Sequence, residues 1–186
     1  DGVEVVLDCA HGAAVVAAPS LFERLGAVVE AVNVEPTGMN INAHCGAVHP
    51  EGMAERATGR IGLAFDGDAD RLIAVDEDGR VCNGDVVMAI LARYLRERQE
   101  LPGDTVVTTV MANLGFKLAM HGLAIDVVET AVGDRYVFEE MRKIGAGLGG
   151  EQSGHVLLQD RATGDGLLTG LRLLEVVAAT GAPLRE

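Results

Sequence analysis

Residues 61 to 72 read IGLAFDGDADRL. The first five, Ile61 to Phe65, are apolar without a break, the pattern of a strand buried on both faces. The run stops at three aspartates in alternate positions, Asp66, Asp68 and Asp70. Open α/β sheets place their ligands beyond such strand ends. In an extended loop the side-chain period is two, so all three carboxylates can converge on one side, and Gly67 and Ala69 are small enough to let the backbone curl round them. Two unit charges about 5 Å apart repel by roughly 3 kcal/mol at an effective dielectric near 20, so the trio calls for a cation. Oxygen-only donors favour a hard divalent ion, magnesium before calcium. Arg71 follows directly, and a guanidinium beside carboxylates suits a site that holds metal and phosphate together. The competing reading is a solvated acidic turn. An EF-hand is excluded, because Arg71 fills the place where that loop needs Gly and strand-like segments flank it in place of helices.

Upstream, VEVVLDC (Val3 to Cys9) reads as a strand. A helix over residues 12–25 follows, with Val16, Ala17, Phe22 and Leu25 as its apolar stripe, and then a strand over residues 27–32. This βαβ opening predicts an α/β layer. Residues 35–50, EPTGMNINAHCGAVHP, lack periodicity, which in a compact domain marks a functional or structured connection. His44, Cys45 and His49, with Cys9 and His11, can be pictured as a zinc cluster. The paired spacings of structural zinc sites are missing, which favours buried thiols and hydrogen-bonded histidines. A short helix over residues 50–57 returns the chain to the central strand.

Downstream, LIAVDEDGRV reads as a hairpin turning at Asp78-Gly79. The domain boundary falls between Asp76 and Gly84, giving units 1–80 and 81–186. The second unit repeats the first: a helix over 84–98, strand 105–110, helix 113–121, strand 124–129, and a helix from Asp134, its expected N-cap, with Val137, Phe138, Met141 and Ile144 inward. Arg135 lies in that helix's first turn, where free N–H groups and a guanidinium could hold a phosphate. Residues 146–159, AGLGGEQSGHVLLQ, read as a loop whose Gly149, Gly150 and Gly154 give room for a ligand. There Glu151, Ser153 and His155 offer polar groups at alternate positions, suited to a sugar. A last helix, 165–180, is apolar nearly all round and should be buried.

The net charge of −13 and the absence of basic stripes argue against nucleic acid and anionic membranes as partners, and no apolar run among the 186 residues can span a bilayer. Cys9, Cys45 and Cys82 are an odd number without C-x-x-C spacing, pointing to free thiols and a cytoplasmic setting. The chain starts at Asp1 within two residues of a strand and is read as a piece of something longer.

FDGDADR at 65–71, GGEQSGH at 149–155, NINAHCGAVHPE at 40–51 and VGDRYV at 132–137 together resemble the α-D-phosphohexomutase superfamily, over the whole chain and in order. The motifs are most similar to its bacterial phosphoglucosamine mutase branch. The resemblance implies two consecutive three-layer α/β domains with mixed, mostly parallel sheets, similar to the second and third domains of a four-domain enzyme. That enzyme would interconvert glucosamine 6-phosphate and glucosamine 1-phosphate through a bisphosphorylated sugar. It implies Mg2+ on Asp66, Asp68 and Asp70, Arg71 toward the phosphoryl group, and Glu151 and Ser153 on sugar hydroxyls with His155 supporting the loop. The phosphoserine and the phosphate clamp would lie in the missing first and fourth domains, so the chain alone should be inactive. Ala112 departs from the family, where serine is common. Other hexose phosphates, a haloacid-dehalogenase-type phosphatase using Asp66 and Asp68, and a noncatalytic module are the alternatives, and a homodimer of the intact enzyme stays open.

Overall fold

In the computed structural model, which describes residues 2–158 and 161–186, the apolar run Ile61–Phe65 is a strand buried along its whole length. It is β3, at the middle of a five-stranded sheet built from β1 (Glu4–Asp8), β2 (Val28–Val32), β3, β4 (Leu72–Val75) and β5 (Val81–Cys82). The order is β2-β1-β3-β4-β5; β1 runs parallel to both of its neighbours, whereas β4 is antiparallel to both of its own, β3 and β5. The first strand therefore has later strands on both sides, and the helices that lead to them cover opposite faces. Ala14, Ala18 and Phe22 of α1 (Ala14–Arg24) pack with Val5, Leu7 and Leu63. Met53 of α2 (Glu51–Arg56) packs with Val6, Ala64 and Val75 on the other face. Gly62 makes room there, since a Cβ on it would sit 2.7 Å from Met53 Cγ.

The stripe of α1 differs from the one expected. Val16 and Leu25 are 87% and 65% exposed, because the inward face is the i, i+4, i+8 row of Ala14, Ala18 and Phe22, in which the two alanines let the helix lie close to the sheet and Phe22 fills its end. Hydrophobicity alone pointed to the larger side chains.

The second sheet repeats the plan with β6 (Thr105–Thr109), β7 (Asp126–Thr130), β8 (Leu148–Gly150) and β9 (Val156–Leu158) in the order β7-β6-β8-β9. Again the first strand is parallel to both neighbours, and only β9 is antiparallel. Phe116 and Met120 of α4 (Leu114–Gly122) pack with Val106, whereas Val137 and Met141 of α5 (Asp134–Ile144) cover Val107 and Leu157 on the opposite face. The N-cap of α5 is Gly133 at φ 131°, not Asp134, and Ile144 is 42% exposed.

Residues 148–158 are not one loop but a hairpin. Gly149 and Gly150 are buried strand residues, and their missing side chains admit the protein's own atoms: a Cβ on Gly149 would lie 2.6 Å from Met141 Sδ.

Between the sheets lie α3 (Gly84–Glu97), capped by Asn83 accepting from the Val86 N–H, and α6 (Gly166–Thr180), capped by Asp165 accepting from Leu168. Their inward residues Val87, Leu91, Leu173 and Leu174 belong to one core with Leu7, Phe65, Val106 and Leu148 of both sheets. Gly170 of α6 lies where a Cβ would be 3.1 Å from both Phe22 and Leu63. The last helix was expected to be buried all round; α6 instead buries one face, Gly166, Thr169, Gly170, Leu173 and Leu174, while the rest is partly buried and its last turn exposed. The two α/β units are thus joined through α3 and α6 rather than by a bare linker.

Candidate functional site at two strand ends

In both sheets the chain reverses its winding beside the first strand, so a crevice opens at the carboxyl ends of β1 and β3, and another at those of β6 and β8. These are the switch points at which α/β sheets bind ligands. The acidic loop follows β3 and the Glu151–Ser153 loop follows β8.

The acidic loop is a tight turn rather than an extended segment. Ala69 N–H donates to Asp66 O at 3.1 Å, and Ala69 adopts φ +61°. The period of two is lost, which separates the aspartates: Asp66 and Asp70 are half-buried and near one another, and Asp68 is exposed. Asp66 accepts from the Arg71 N–H at 3.1 Å, and its Oδ2 lies 4.0 Å from Arg71 Nε. Burial pushes the Asp66 carboxyl up, opposed by the Arg71 N–H and reinforced by Asp70. Arg71 Nε is itself buried without a hydrogen-bond partner among the described residues.

Among the described residues no three His, Cys, Asp or Glu side chains are gathered closely enough to hold a metal ion, which applies equally to the acidic trio and to the His44, Cys45 and His49 group. The donor chemistry of the acidic turn nevertheless fits magnesium: two crowded carboxyls, one of them destabilised as an anion by burial, beside a third on the exposed lip.

Residues 40–49 form the wall over this turn. A Cβ on Gly67 would meet Ile41 Cγ2 at 2.5 Å and Asn42 Nδ2 at 3.0 Å, and the Ala13 N–H donates to Gly67 O at 2.8 Å. The buried Asp8 fixes both sides, accepting from Ala10 N–H at 2.9 Å and from Gly46 N–H at 2.8 Å. The sequence reading passed over Asp8; its signal was a carboxylate closing an otherwise apolar strand, VEVVLD.

The two loops meet. Leu72 N–H donates to Gly154 O at 3.0 Å, and Gly166 N–H, at the start of α6, donates to Ala69 O at 2.9 Å. A Cβ would lie 2.4 Å from Leu72 O if placed on Gly154, and 2.5 Å from Asp70 O if placed on Gly164. His155, 4% exposed, lies in the seam. Its Nε2 accepts from Gly164 N–H at 2.9 Å, which leaves the proton of a neutral ring on Nδ1, 3.4 Å from Asp70 Oδ2; Asp134 Oδ2 is 3.6 Å from Nε2. Gly164 and Gly166 were also missed, because a glycine's packing partner is not written in its local sequence.

Glu151 Oε1 accepts from Gly133 N–H at 2.9 Å, tying the sugar-loop candidate to the VGDRYV turn, and Ser153 is exposed. Arg135 is exposed and paired to Glu139 at 2.7 Å across one helical turn, not drawn in beside Glu151. A hollow of about 500 Å³ between α1 and α6, walled by Phe22, Leu25, Leu171 and Leu174, contains none of these polar candidates.

Comparison with known proteins agrees with the two α/β units of the fold. Residues 83–186 match the sequence family described as phosphoglucomutase/phosphomannomutase, alpha/beta/alpha domain III, and residues 1–79 match its domain II. The chain belongs to the phosphoglucomutase/phosphomannomutase family. It is 57% identical to the phosphoglucosamine mutase of Moorella thermoacetica and 55% identical to that of Anaeromyxobacter dehalogenans, with all of this chain covered in each case. It spans only 43% and 42% of those proteins' lengths. A phosphoglucomutase/phosphomannomutase family protein from Burkholderia thailandensis superposes with TM-score 0.85 at 30% identity, over 96% of this chain and 40% of that one. The Aspergillus fumigatus N-acetylphosphoglucosamine mutase, solved with GlcNAc-6P and magnesium, shares the fold at TM-score 0.80 and 20% identity, over 99% of this chain and 48% of that one.

Proposed function

We propose that this chain is the central, metal- and sugar-holding part of a phosphoglucosamine mutase that interconverts glucosamine 6-phosphate and glucosamine 1-phosphate. One observation carries the reading: the acidic turn after β3 and the Glu151–Ser153 loop after β8 are stitched side by side through Leu72, Gly154 and His155. A metal site and a sugar grip are thereby held at a fixed spacing, and phosphoryl transfer needs positioning and charge stabilisation more than covalent chemistry from the protein.

In this reading Asp66, Asp68 and Asp70 hold Mg2+, which when bound supplies Lewis-acid charge to a serine phosphate carried by another part of the same polypeptide. The Arg71 guanidinium, whose Nε is unpartnered, offsets negative charge on the moving group. Glu151 and Ser153 hold sugar hydroxyls in either orientation of the substrate, and Arg135 waits at the mouth for a phosphate. Held by Gly164, His155 presents Nδ1–H to Asp70 and orients that carboxylate. The first and fourth domains of the relatives are the partners that complete the site. The three buried free cysteines support a reducing, cytoplasmic setting, and no helix among the described residues is long and apolar enough to cross a membrane.

The test is turnover by the intact polypeptide on glucosamine, mannose and glucose 6-phosphates, with and without magnesium. Magnesium-dependent conversion preferring the glucosamine ester is expected, with none from the 186-residue chain alone. Preference for another hexose moves the assignment elsewhere in the family, and turnover by the isolated chain overturns it.

A further inference from the structure

We infer that Gly84 and Asp85, the first residues of α3, are a positioning pair that braces the two walls of the β6/β8 crevice and so sets the grip of the sugar loop. The ligand in that inference rests on the function proposed above; the brace itself does not.

One wall is the 151–154 loop after β8. Gly84 N–H donates to Gln152 O at 3.0 Å, and a Cβ on Gly84 would lie 2.0 Å from Glu151 O and 2.7 Å from Gly154 N. No other residue type lets the helix start so close under the loop. The other wall is the turn after β6. Asp85, 3% exposed, accepts from Asn113 N–H through Oδ2 at 2.8 Å, and Asn113 in turn caps α4 by accepting from Gly115 N–H at 2.7 Å. Two adjacent residues thus reach in two directions, one to each side of the switch point.

The Asp85 carboxylate is poorly suited to be a mere stabiliser. Its Oδ1 is buried without a partner among the described residues, and the ammonium of Lys117, whose charge acts on it, is engaged by Glu129. A half-satisfied buried carboxylate costs stability. What it contributes is a fixed separation between Asn113 and the loop carrying Glu151 and Ser153. Glu151, whose carbonyl lies over Gly84, is then held twice, by that carbonyl accepting from Gly154 N–H at 3.0 Å and by its carboxylate on Gly133.

The test compares Asp85→Ala with Asp85→Asn in the full-length protein; Asn keeps an oxygen able to accept from Asn113. Loss of a hydrogen bond to a charged group corresponds to about tenfold or more in an equilibrium. D85A is therefore expected to raise KM for glucosamine 6-phosphate by about tenfold and to speed hydrogen exchange at the Asn113 and Gly154 amides by a similar factor, with magnesium affinity unchanged. D85N is expected to restore both. Should D85A fail to fold, Asn113→Pro removes the donor instead, at backbone angles (φ −63°, ψ 143°) that proline accepts; exchange is then read at Gly154 alone, against Asn113→Ala, which loses the same α4 cap but keeps the N–H to Asp85. Unchanged exchange in both walls overturns the brace, as does uniform loosening together with lost magnesium affinity, or a D85N variant as impaired as D85A. Local loosening in an enzyme that turns over no hexosamine phosphate would leave the brace standing and remove the ligand.

Discussion

At the scale of single residues, the acidic turn shows how burial and charge divide one motif into unequal parts. Asp66 is pushed up by burial and by Asp70, so its ionised form is a local strain that a cation relieves. Asp66→Asn keeps an oxygen for the Arg71 N–H and removes the charge. Thermal melts with and without magnesium should show D66N at least as stable as the parent without metal and unresponsive to it. The thiols behave differently. Burial pushes Cys9 up to about 12 and Cys82 up to about 11, in each case helped by a nearby aspartate. Unfolded thiols lose their protons near pH 8.5, so between there and the raised values the native state holds more protons and stability falls as pH rises, by up to about 1.4 kcal/mol per pH unit per group. Urea melts from pH 8 to 10.5 should show that decline, and Cys9→Ala should make it shallower, leaving the part due to Cys82, whatever its effect on stability at pH 7. At pH 8 both thiols should resist alkylation until the chain unfolds.

Among the elements, the periodic ones were legible and the seams were not. The helices and strands announced themselves by apolar period, whereas the one cap expected, Asp134, falls on Gly133, and the side-chain caps Asn83 and Asp165 came only from the structure. The GGEQSGH stretch was recognisable as a site, yet its glycines were credited to a ligand when Gly149 and Gly150 make room for packing and Gly154 for the other domain's backbone. Such a role depends on atoms remote in sequence. Gly154, at φ +91° with Leu72 O in the way, should tolerate alanine poorly: a loss of roughly 1–3 kcal/mol is expected in denaturant melts. Because that contact joins the two loops, G154A should also weaken turnover of the intact enzyme beyond what its stability explains.

For the whole molecule, one shared core makes the two sheets act as a unit. Phe22 of α1 stands edge-on to Phe65, the last residue before the acidic turn, with ring centroids 6.3 Å apart, and touches α6 at Gly170. Phe22→Ala should cost about 3–5 kcal/mol and remove stability from both sheets in a single transition, visible as coincident melts by far-UV dichroism and hydrogen exchange. The C-terminal segment adds a tie, Leu184 N–H donating to Glu77 Oε1 of the first sheet's hairpin at 2.8 Å. By itself the sequence determined the α/β class, the repeated βαβ plan and the chemistry offered at each strand end, because periodicity and residue type are local properties. Only the tertiary structure decided that the acidic residues sit on a tight turn, that His155 faces Asp70 across a domain seam, and that Asp8, Gly84, Asp85 and Gly164 hold the loops in place. Those facts depend on which backbone atoms come within hydrogen-bonding distance once two switch-point crevices are packed around α3 and α6, and no stretch of sequence carries that distance.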